Sequence, residues 1–504
     1  MYQLFERVLV TFAIIYLCAP QCVGSDYNIV QFGAQNNKQV NSANAIQRAI
    51  NAAAKDSGSR VIVPPGTFMS GTIMLLSGVE LHIQKGATLY GSTNIDDYYA
   101  LSKSTATYNW KSLIICNSRQ HVSITGRGTI DGQGRKLAMN IDSLFYVRDM
   151  DSSGYQFIER RPKAHLRPQL IQFVNCKNIS IQSVTIKNGA SWVQVYDLCK
   201  NVIINGVKVE SVAYWNNDGI DIIDCKNVRI TNTYVNSSDD GICLKSYKRK
   251  NNEVVFCDSI YIGNCVVRSS ASAIKLGTSS FGGFKNILIE DIKVFDTYRS
   301  AIAIESWEGG LIENVVIQNI RAKNTGNALF IRLSKRPVYS NRPHGVIQGI
   351  TIKNISCTVP YTQPDYFYDL RGPTLPFFHN VFPVSITGYP GANVSDISIE
   401  DIKIIYPGKG ISNYANSPLS RLNNIPEKIE EYPEFSMFGE LPAWGLYVRH
   451  VNGLTLRDVK FKIKENDYRP SVVLDDVSGL IMENIKIKGD SKIDNIYYHN
   501  MEQH

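Results

Sequence analysis

The sequence predicts an all-β fold, a parallel β-helix (β-solenoid) with an N-terminal capping helix and long loop insertions. Three observations carry this expectation. A phrase of one polar residue followed by alternating β-branched residues recurs, starting at Asn178, Asn201, Asn227, Ser259, Asn286, Asn314, Gly349 and Asp396. Its first six starts lie 23, 26, 32, 27 and 28 residues apart, and the last two gaps lengthen to 35 and 47, as loop insertions would make them. Each unit holds two or three short alternating strands divided by Asn, Gly, Ser and Asp, with almost no helical periodicity. A unit of that size cannot bury its own apolar face, so it must stack on its neighbours. Leucine-rich repeats lack support because their Leu and Asn spacing is absent, and propeller blades need longer units of four antiparallel strands.

The elements follow in order. Arg7, the apolar stretch Val8 to Ala19, Pro20 and the small residues Gly24 and Ser25 have the layout of a secretory signal, and the apolar stretch is too short for a stable anchor. Residues 1–25 are therefore expected to be a cleaved signal and 26–504 a single β-helix domain, secreted or periplasmic and free of the membrane after cleavage. Residues 42–54 read as a short amphipathic helix, with Ser42 as N-cap, covering the open edge of the first coil. Segments 134–168 and 406–446 break the repeat and are rich in aromatic, Pro and charged residues, as cleft walls would be. Cys176, Cys199 and Cys225 each open the tripeptide Cys-Lys-Asn, so they should stack as a ladder of buried reduced thiols. No CxxC spacing is present, and neither a metal nor a cofactor is expected.

Composition narrows the partners. With 504 residues, 44% hydrophobic and 19% charged, the chain is neither disordered nor collagen-like. Its net charge of +8 could serve nucleic acid, an anionic membrane or an acidic polysaccharide, and by itself chooses none of them. The cations are dispersed and no nucleic-acid-binding module is recognisable, so nucleic acid is not expected. Sequons at Asn178, Asn236, Asn354 and Asn393 include one three residues before Asp239, where a glycan would crowd the site; this favours a bacterial source.

Aligning the repeats with one another locates the chemistry. Five successive units read Asp218-Gly-Ile-Asp-Ile-Ile, Asp240-Gly-Ile-Cys-Leu-Lys, Ser272-Ala-Ile-Lys-Leu-Gly, Ser300-Ala-Ile-Ala-Ile-Glu and Asn327-Ala-Leu-Phe-Ile-Arg. The third and fifth positions are always Ile or Leu and should face inward. Asp221, Lys245, Lys275, Glu305 and Arg332 then face outward. Asp218 lies one coil from Asp240, with Asp239 alongside, and coils are about 4.8 Å apart. Stacked like charges destabilise a sheet, so three converging carboxylates point to metal binding or acid–base catalysis. Glycoside hydrolysis uses one protonated and one ionised carboxyl group, and crowding supplies the protonated one.

The motifs Asn216-Asn217-Asp218-Gly-Ile-Asp221 and Ser238-Asp239-Asp240-Gly241 resemble the NTD and DD motifs of the polygalacturonases, glycoside hydrolase family 28. Arg167-Pro-Gln-Leu-Ile, Tyr27-Asn-Ile-Val-Gln-Phe-Gly-Ala and Val63-Pro-Pro-Gly-Thr add to the likeness, which runs from about residue 27 to residue 490. It implies a right-handed parallel β-helix and an inverting hydrolase of pectic α-linkages, acting as a monomer on an acidic plant cell-wall polysaccharide or oligosaccharide. By position, Asp239 matches the general acid, and Asp218 with Asp240 the pair that activates water. The chain departs from the family where GHG becomes Ala271-Ser272-Ala273 and RIK becomes Ala303-Ile304-Glu305. In the family that Arg and Lys contact a substrate carboxylate on the leaving-group side, which Glu305 would repel. Lys275 and Arg332 are candidates to hold an anion elsewhere. Asp221, Lys245, Glu305 and Ser272 line the same face, and Trp307, like Trp215 and Tyr247, is placed to stack on a sugar. The expected leaving side is therefore not galacturonate, as in a rhamnogalacturonan or a pectin side chain, with exo action compatible with the insertions. The alternatives are a uronate lyase on the same solenoid and a non-catalytic polysaccharide-binding solenoid.

Overall fold

The computed structural model describes residues 24–501 apart from 57, 102–109, 148–150, 365–376, 378, 415–417 and 490–494. The expected signal at 1–25 thus lies outside the described residues except for its last two positions. From Asp26–Asn28, paired in parallel with Arg60–Val63, the chain winds into stacked coils. Ser112–Asn117, Gln169–Val174, Gln194–Asp197, Ile220–Ile223, Ile242–Ser246 and Ile274–Ser280 pair successively in parallel as one sheet. Gln120–Gly126, Lys177–Gln182, Lys200–Asn205 and Lys226–Thr231 begin a second. Thr129–Asp131, Thr185–Lys187, Lys208–Ser211 and Tyr234–Ser237 begin a third. A single apolar core runs inside the coils from Ile29 to Val477. Among the described residues no helix is long and apolar enough to cross a membrane.

The recurring polar residue marks a backbone requirement. Asn178, Asn201, Asn227, Ser259, Asn286, Asn314, Gly349 and Asp396 all have φ between 50° and 63°. This left-handed conformation is tolerated by Gly and, with local hydrogen bonding, by Asn and Asp. The Asn side chains also bond along the stack, Asn201 Nδ2 donating to Asn178 Oδ1 at 2.8 Å and Asn227 Nδ2 to Asn201 Oδ1 at 3.1 Å. Inward Ile and Val residues follow each turn, and full burial of one such side chain contributes about 1.5–3 kcal/mol. Cys176, Cys199 and Cys225 are buried with free thiols, and the stack extends to Cys116, whose Sγ lies 3.6 Å from that of Cys176.

Helix α1 (Ala43–Ala53) buries Ala45, Ile46, Ala49, Ile50 and Ala53 against the first coils. Ser42 makes no side-chain cap; its Oγ accepts from the Gln35 amide, and Asn41 Oδ1 accepts from the Ala43 amide instead. The 134–168 segment, read from sequence as an irregular wall, contains a helix, α2 (Gly134–Val147), with Leu137, Ala138 and Ile141 buried. The 406–446 excursion folds onto the outside of the first sheet. There Phe330 is covered by Phe435 and Met437, and Tyr447 and Val473 by Leu422, Ile425 and Leu441. Outward positions on these later coils are apolar because the excursion keeps them from water.

Candidate functional site

The strand registers confirm the alignment of the repeats. Ile220 pairs with Ile242 and then Ile274, while Asp221 is in register with Cys243 and Lys275, and Ile223 with Lys245. Inward Ile and Leu residues fill the core, and the polar residues point away from it. Their surroundings differ from expectation: Asp221, Lys245, Lys275 and Glu305 are all buried. Lys245 and Lys275 pair with carboxylates of the cluster, and Asp221 and Glu305 pair with these two lysines, instead of facing open solvent.

Glycine brings the aspartates together. A Cβ on Gly219 would come within 2.6 Å of the Gly241 carbonyl oxygen, and one on Gly241 within 2.5 Å of that of Ala273. Only Gly lets successive coils lie this close, and one carboxylate oxygen each from Asp218, Asp239 and Asp240 then lies within 4.8 Å of the others. Asn217 fixes the loop before Asp218. Its Oδ1 accepts from Ser211 Oγ, Ala213 N and Tyr214 N, and its Nδ2 donates to the Gly189 and Ser191 carbonyls, all at 3.0–3.1 Å. Asn216 links outward. Its Oδ1 accepts from Arg161 and Arg167 at 2.6 and 2.7 Å, and its Nδ2 lies 3.4 Å from Asp239 Oδ2.

Two ammonium groups balance the carboxylates. Lys245 Nζ donates to Asp218 Oδ2 at 3.0 Å and to Asp221 Oδ1, and sits over the Trp192 ring. Lys275 Nζ lies 3.3 Å from Asp240 Oδ2 and 3.6 Å from Glu305 Oε2. Three acidic oxygens converging in this way could ligate a cation, but Lys245 and Lys275 already supply positive charge at hydrogen-bonding distance. The chemistry of this set fits proton transfer.

The three aspartates are tuned apart. Burial, then the charge of Asp240, raises the Asp239 carboxyl above the ordinary range, against the pull of Arg299, Lys275 and Lys245. Burial also pushes Asp240 up, but Lys275, Lys245, Arg299 and the Ser272 amide outweigh it and hold it below. That amide donates to Asp240 Oδ1 at 3.1 Å. Asp218 is raised well above normal, by burial and then by Asp221, Asp239 and Asp240, despite Lys245. Its neighbour Asp221 is pushed up to about 6 by burial. Asp239 is the partly exposed member, whereas Asp218 and Asp240 are 4% and 6% exposed.

One wall of the site comes from far along the chain. Tyr432, 49% exposed, bonds through its hydroxyl to Thr278 Oγ1 at 2.9 Å, lies 3.5 Å from Lys275 Nζ and meets the Trp307 ring edge-on. Glu434 pairs with Arg299 at 2.6 Å. Trp307 is thus at the site as expected, although Arg336 covers its ring. Ser272 is present through its backbone. Arg332 is corrected: although in register with Glu305, it is 0% exposed. Its guanidinium donates to the Gly388, Glu427 and Lys428 carbonyls, bracing the excursion. Tyr247 is also buried, packed near Trp192 with Val195 and Ile223. The repeat alignment did not single out Arg161, Trp192, Arg299, Tyr432 or Glu434. The excursion that carries Tyr432 and Glu434 was visible as a break in the repeat, but nothing local marks which of its residues reach the site.

Comparison with known proteins gives the family and the fold. A model of the glycosyl hydrolases family 28 matches residues 54–368. A probable polygalacturonase of Vitis vinifera is 27% identical over 364 residues, 67% of this chain and 70% of its own. An exo-poly-alpha-D-galacturonosidase of Dickeya chrysanthemi is 26% identical over 443 residues, 79% of this chain and 69% of its own. Among solved structures, a hyperthermoactive exopolygalacturonase from Thermotoga maritima superposes with a TM-score of 0.59 at 23% identity, covering 76% of this chain and 87% of that one. A family 28 exopolygalacturonase of Yersinia enterocolitica gives 0.59 at 20% identity, covering 95% and 77%. Both have the same fold as this chain, a right-handed parallel β-helix.

Proposed function

Because this chain belongs to glycosyl hydrolase family 28 and is a glycoside hydrolase, we propose that it cleaves an α-linked galacturonic acid bond in a pectic polysaccharide or oligosaccharide, with inversion. Family membership overturns the two alternatives, a lyase and a non-catalytic solenoid. The pectic substrate is supported by relatives named as polygalacturonase and exo-poly-alpha-D-galacturonosidase.

The observation that carries the roles is the split between the adjacent Asp239, raised, and Asp240, lowered. Asp239 keeps its proton and delivers it to the glycosidic oxygen as the bond to the anomeric carbon breaks. A water held between Asp240 and Asp218 attacks that carbon from the opposite face and gives its proton to Asp240. Asp218, with its raised carboxyl, orients the water and need not carry a second negative charge. Asn216 and Arg299 position and tune the acid, Lys275 keeps the base ionised, and Lys245 balances Asp218 and Asp221.

The leaving side is read as neutral or differently linked. Ala303 and Glu305 stand where the family has the Arg and Lys of its RIK motif, and Glu305 is engaged with Lys275. Tyr432 and Trp307 form an aromatic wall beside them, suited to a sugar face. Exo action is compatible with the excursion that bears Tyr432, which folds over the outer face of the coils that follow the site. We also propose that the protein is exported, by cleavage of residues 1–25, and works as a monomer without a cofactor.

The test incubates the protein with polygalacturonan and with rhamnogalacturonan oligosaccharides, beside an Asp239→Asn variant, and separates the products by chromatography with ultraviolet detection. Saturated products from the wild type alone, preferring substrates with a non-galacturonate leaving sugar, are expected. Equal or faster cleavage of polygalacturonan refutes the leaving-side reading, and unsaturated products refute hydrolysis.

A further inference from the structure

The third sheet carries, on the outer face of its last coils, a grid of lysines that the proposed catalysis does not use. The strand registers set Lys403 beside Lys460 and Lys460 beside Lys486; two residues along, Lys462 lies beside Lys488. All five are exposed. Neighbours on successive coils are about 4.8 Å apart, and neighbours along one face of a strand about 7 Å. Five ammonium groups therefore occupy one small patch. Among the described residues none of them forms an ion pair, while nearby Glu400, Glu465 and Glu483 are taken by other cations, Lys353, Lys409 and Arg457.

The fold does not require this arrangement. One coil earlier, the same two columns carry Ser356 and Thr358, in register with Lys403 and Ile405. The second sheet differs: one of its columns runs Lys177, Lys200, Lys226, Asp258, Lys285, Glu313, so its lysine run is a single column wide and ends against Asp258, which pairs with Lys226. Like charges in register oppose folding, so a face that stacks them without relief is suited to an anionic partner.

We propose that this grid is a second polysaccharide-binding surface, which holds a polycarboxylate chain away from the catalytic groove. A linear polyuronate offers one negative charge per sugar at regular intervals, matching a regular row of ammonium groups. Lysines are point charges without the fork that favours bidentate phosphate binding. None of the large exposed apolar side chains lies on these strand segments, so the patch lacks both a stacking platform for bases and a wedge for lipid. The carboxylates at 218–240 belong to a different sheet and to earlier coils, so both sites can be filled at once. The choice of polyuronate rests on the substrate class proposed above, but binding is read without turnover, so the two readings fail separately.

The experiment uses an Asp239→Asn background to prevent cleavage and measures retardation in gels containing polygalacturonate. Lys460→Gln/Lys462→Gln/Lys486→Gln is compared with Lys177→Gln/Lys200→Gln/Lys226→Gln, which removes three exposed lysines from the second sheet. Loss of three exposed ionic contacts is expected to weaken retention about tenfold at low salt. The difference should vanish at high salt, and the second-sheet variant should migrate like its parent. With Asp239 restored, the third-sheet variant should cleave a short oligosaccharide at the wild-type rate. Unchanged retention, or equal loss in both triple variants, overturns the proposal. So does stronger grid-dependent binding to duplex DNA or to vesicles of anionic phospholipid than to polygalacturonate.

Discussion

Replacing Glu305 by Gln should change how the fold responds to pH. Glu305 is 2% exposed, and burial pushes its carboxyl from 4.5 to about 8, with Lys275 opposing and Glu434 and Asp240 adding to the rise. In the unfolded chain the same group ionises in the ordinary range. Across the interval between about 4.5 and 8, the folded protein therefore holds a proton that the unfolded chain has lost. The stabilisation is fully present below that interval and disappears as pH rises through it, at up to about 1.4 kcal/mol per pH unit and at most about 5 kcal/mol in all. Gln has the shape of the protonated acid and does not titrate. Near pH 4.5 the two proteins should have similar denaturation midpoints, and by pH 8 the variant should be the more stable by a few kcal/mol. Urea titrations followed by tryptophan fluorescence at half-unit steps would measure this; Asp221 and Asp224, each pushed up to about 6, titrate in both proteins and cancel in the difference. Parallel pH profiles would refute the reasoning, since they would mean that Glu305 is ionised in the fold at neutral pH.

Four further outcomes follow from the site. Asp239→Asn should lower kcat about 10²–10⁴-fold with little change in KM, measured by reducing-end release. Arg299→Met removes a charge that lowers the Asp239 carboxyl, so the basic limb of the kcat/KM profile should move to higher pH. Lys275→Met removes the main charge that holds Asp240 down, so the acidic limb should move up, and one buried partner left alone should cost about 3–5 kcal/mol of stability. Asn217→Ala leaves buried partners unsatisfied, each costing about 1–3 kcal/mol; the melting temperature and kcat should both fall, while the pH limbs stay in place.

The parts legible in the sequence were those fixed within one coil. The left-handed turn selects Asn, Gly or Asp at seven of the eight phrase starts, Ser259 being the eighth, and alternation across a strand separates Ile220 and Ile222 from Asp221, so both the solenoid and the aspartate column could be read directly. Whether an outward side chain meets water depends on what folds over it. Arg332 and Lys275 look equivalent in the repeat, yet Arg332 is sealed by carbonyls of residues 427 and 428, nearly a hundred positions away. Phe330, apolar at an outward position, was the local sign that something covers that coil. Helix α2 was missed because Leu137, Ala138 and Ile141 form only a short apolar stripe in a segment judged by its irregular, aromatic-rich composition.

The Tyr432–Thr278 contact closes a loop of 154 residues, whereas Asp218 and Asp240 meet across a single turn of the solenoid. The groups proposed for bond breaking and the wall proposed for substrate choice are thus drawn from different ranges along the chain. An exchange between residues 426 and 438 would leave the three aspartates in their coils, but it would change the wall together with the Glu434 partner of Arg299 and the carbonyls that seal Arg332. The wall can therefore be exchanged through that one excursion, provided that the replacement keeps a carboxylate for Arg299 and carbonyls for Arg332.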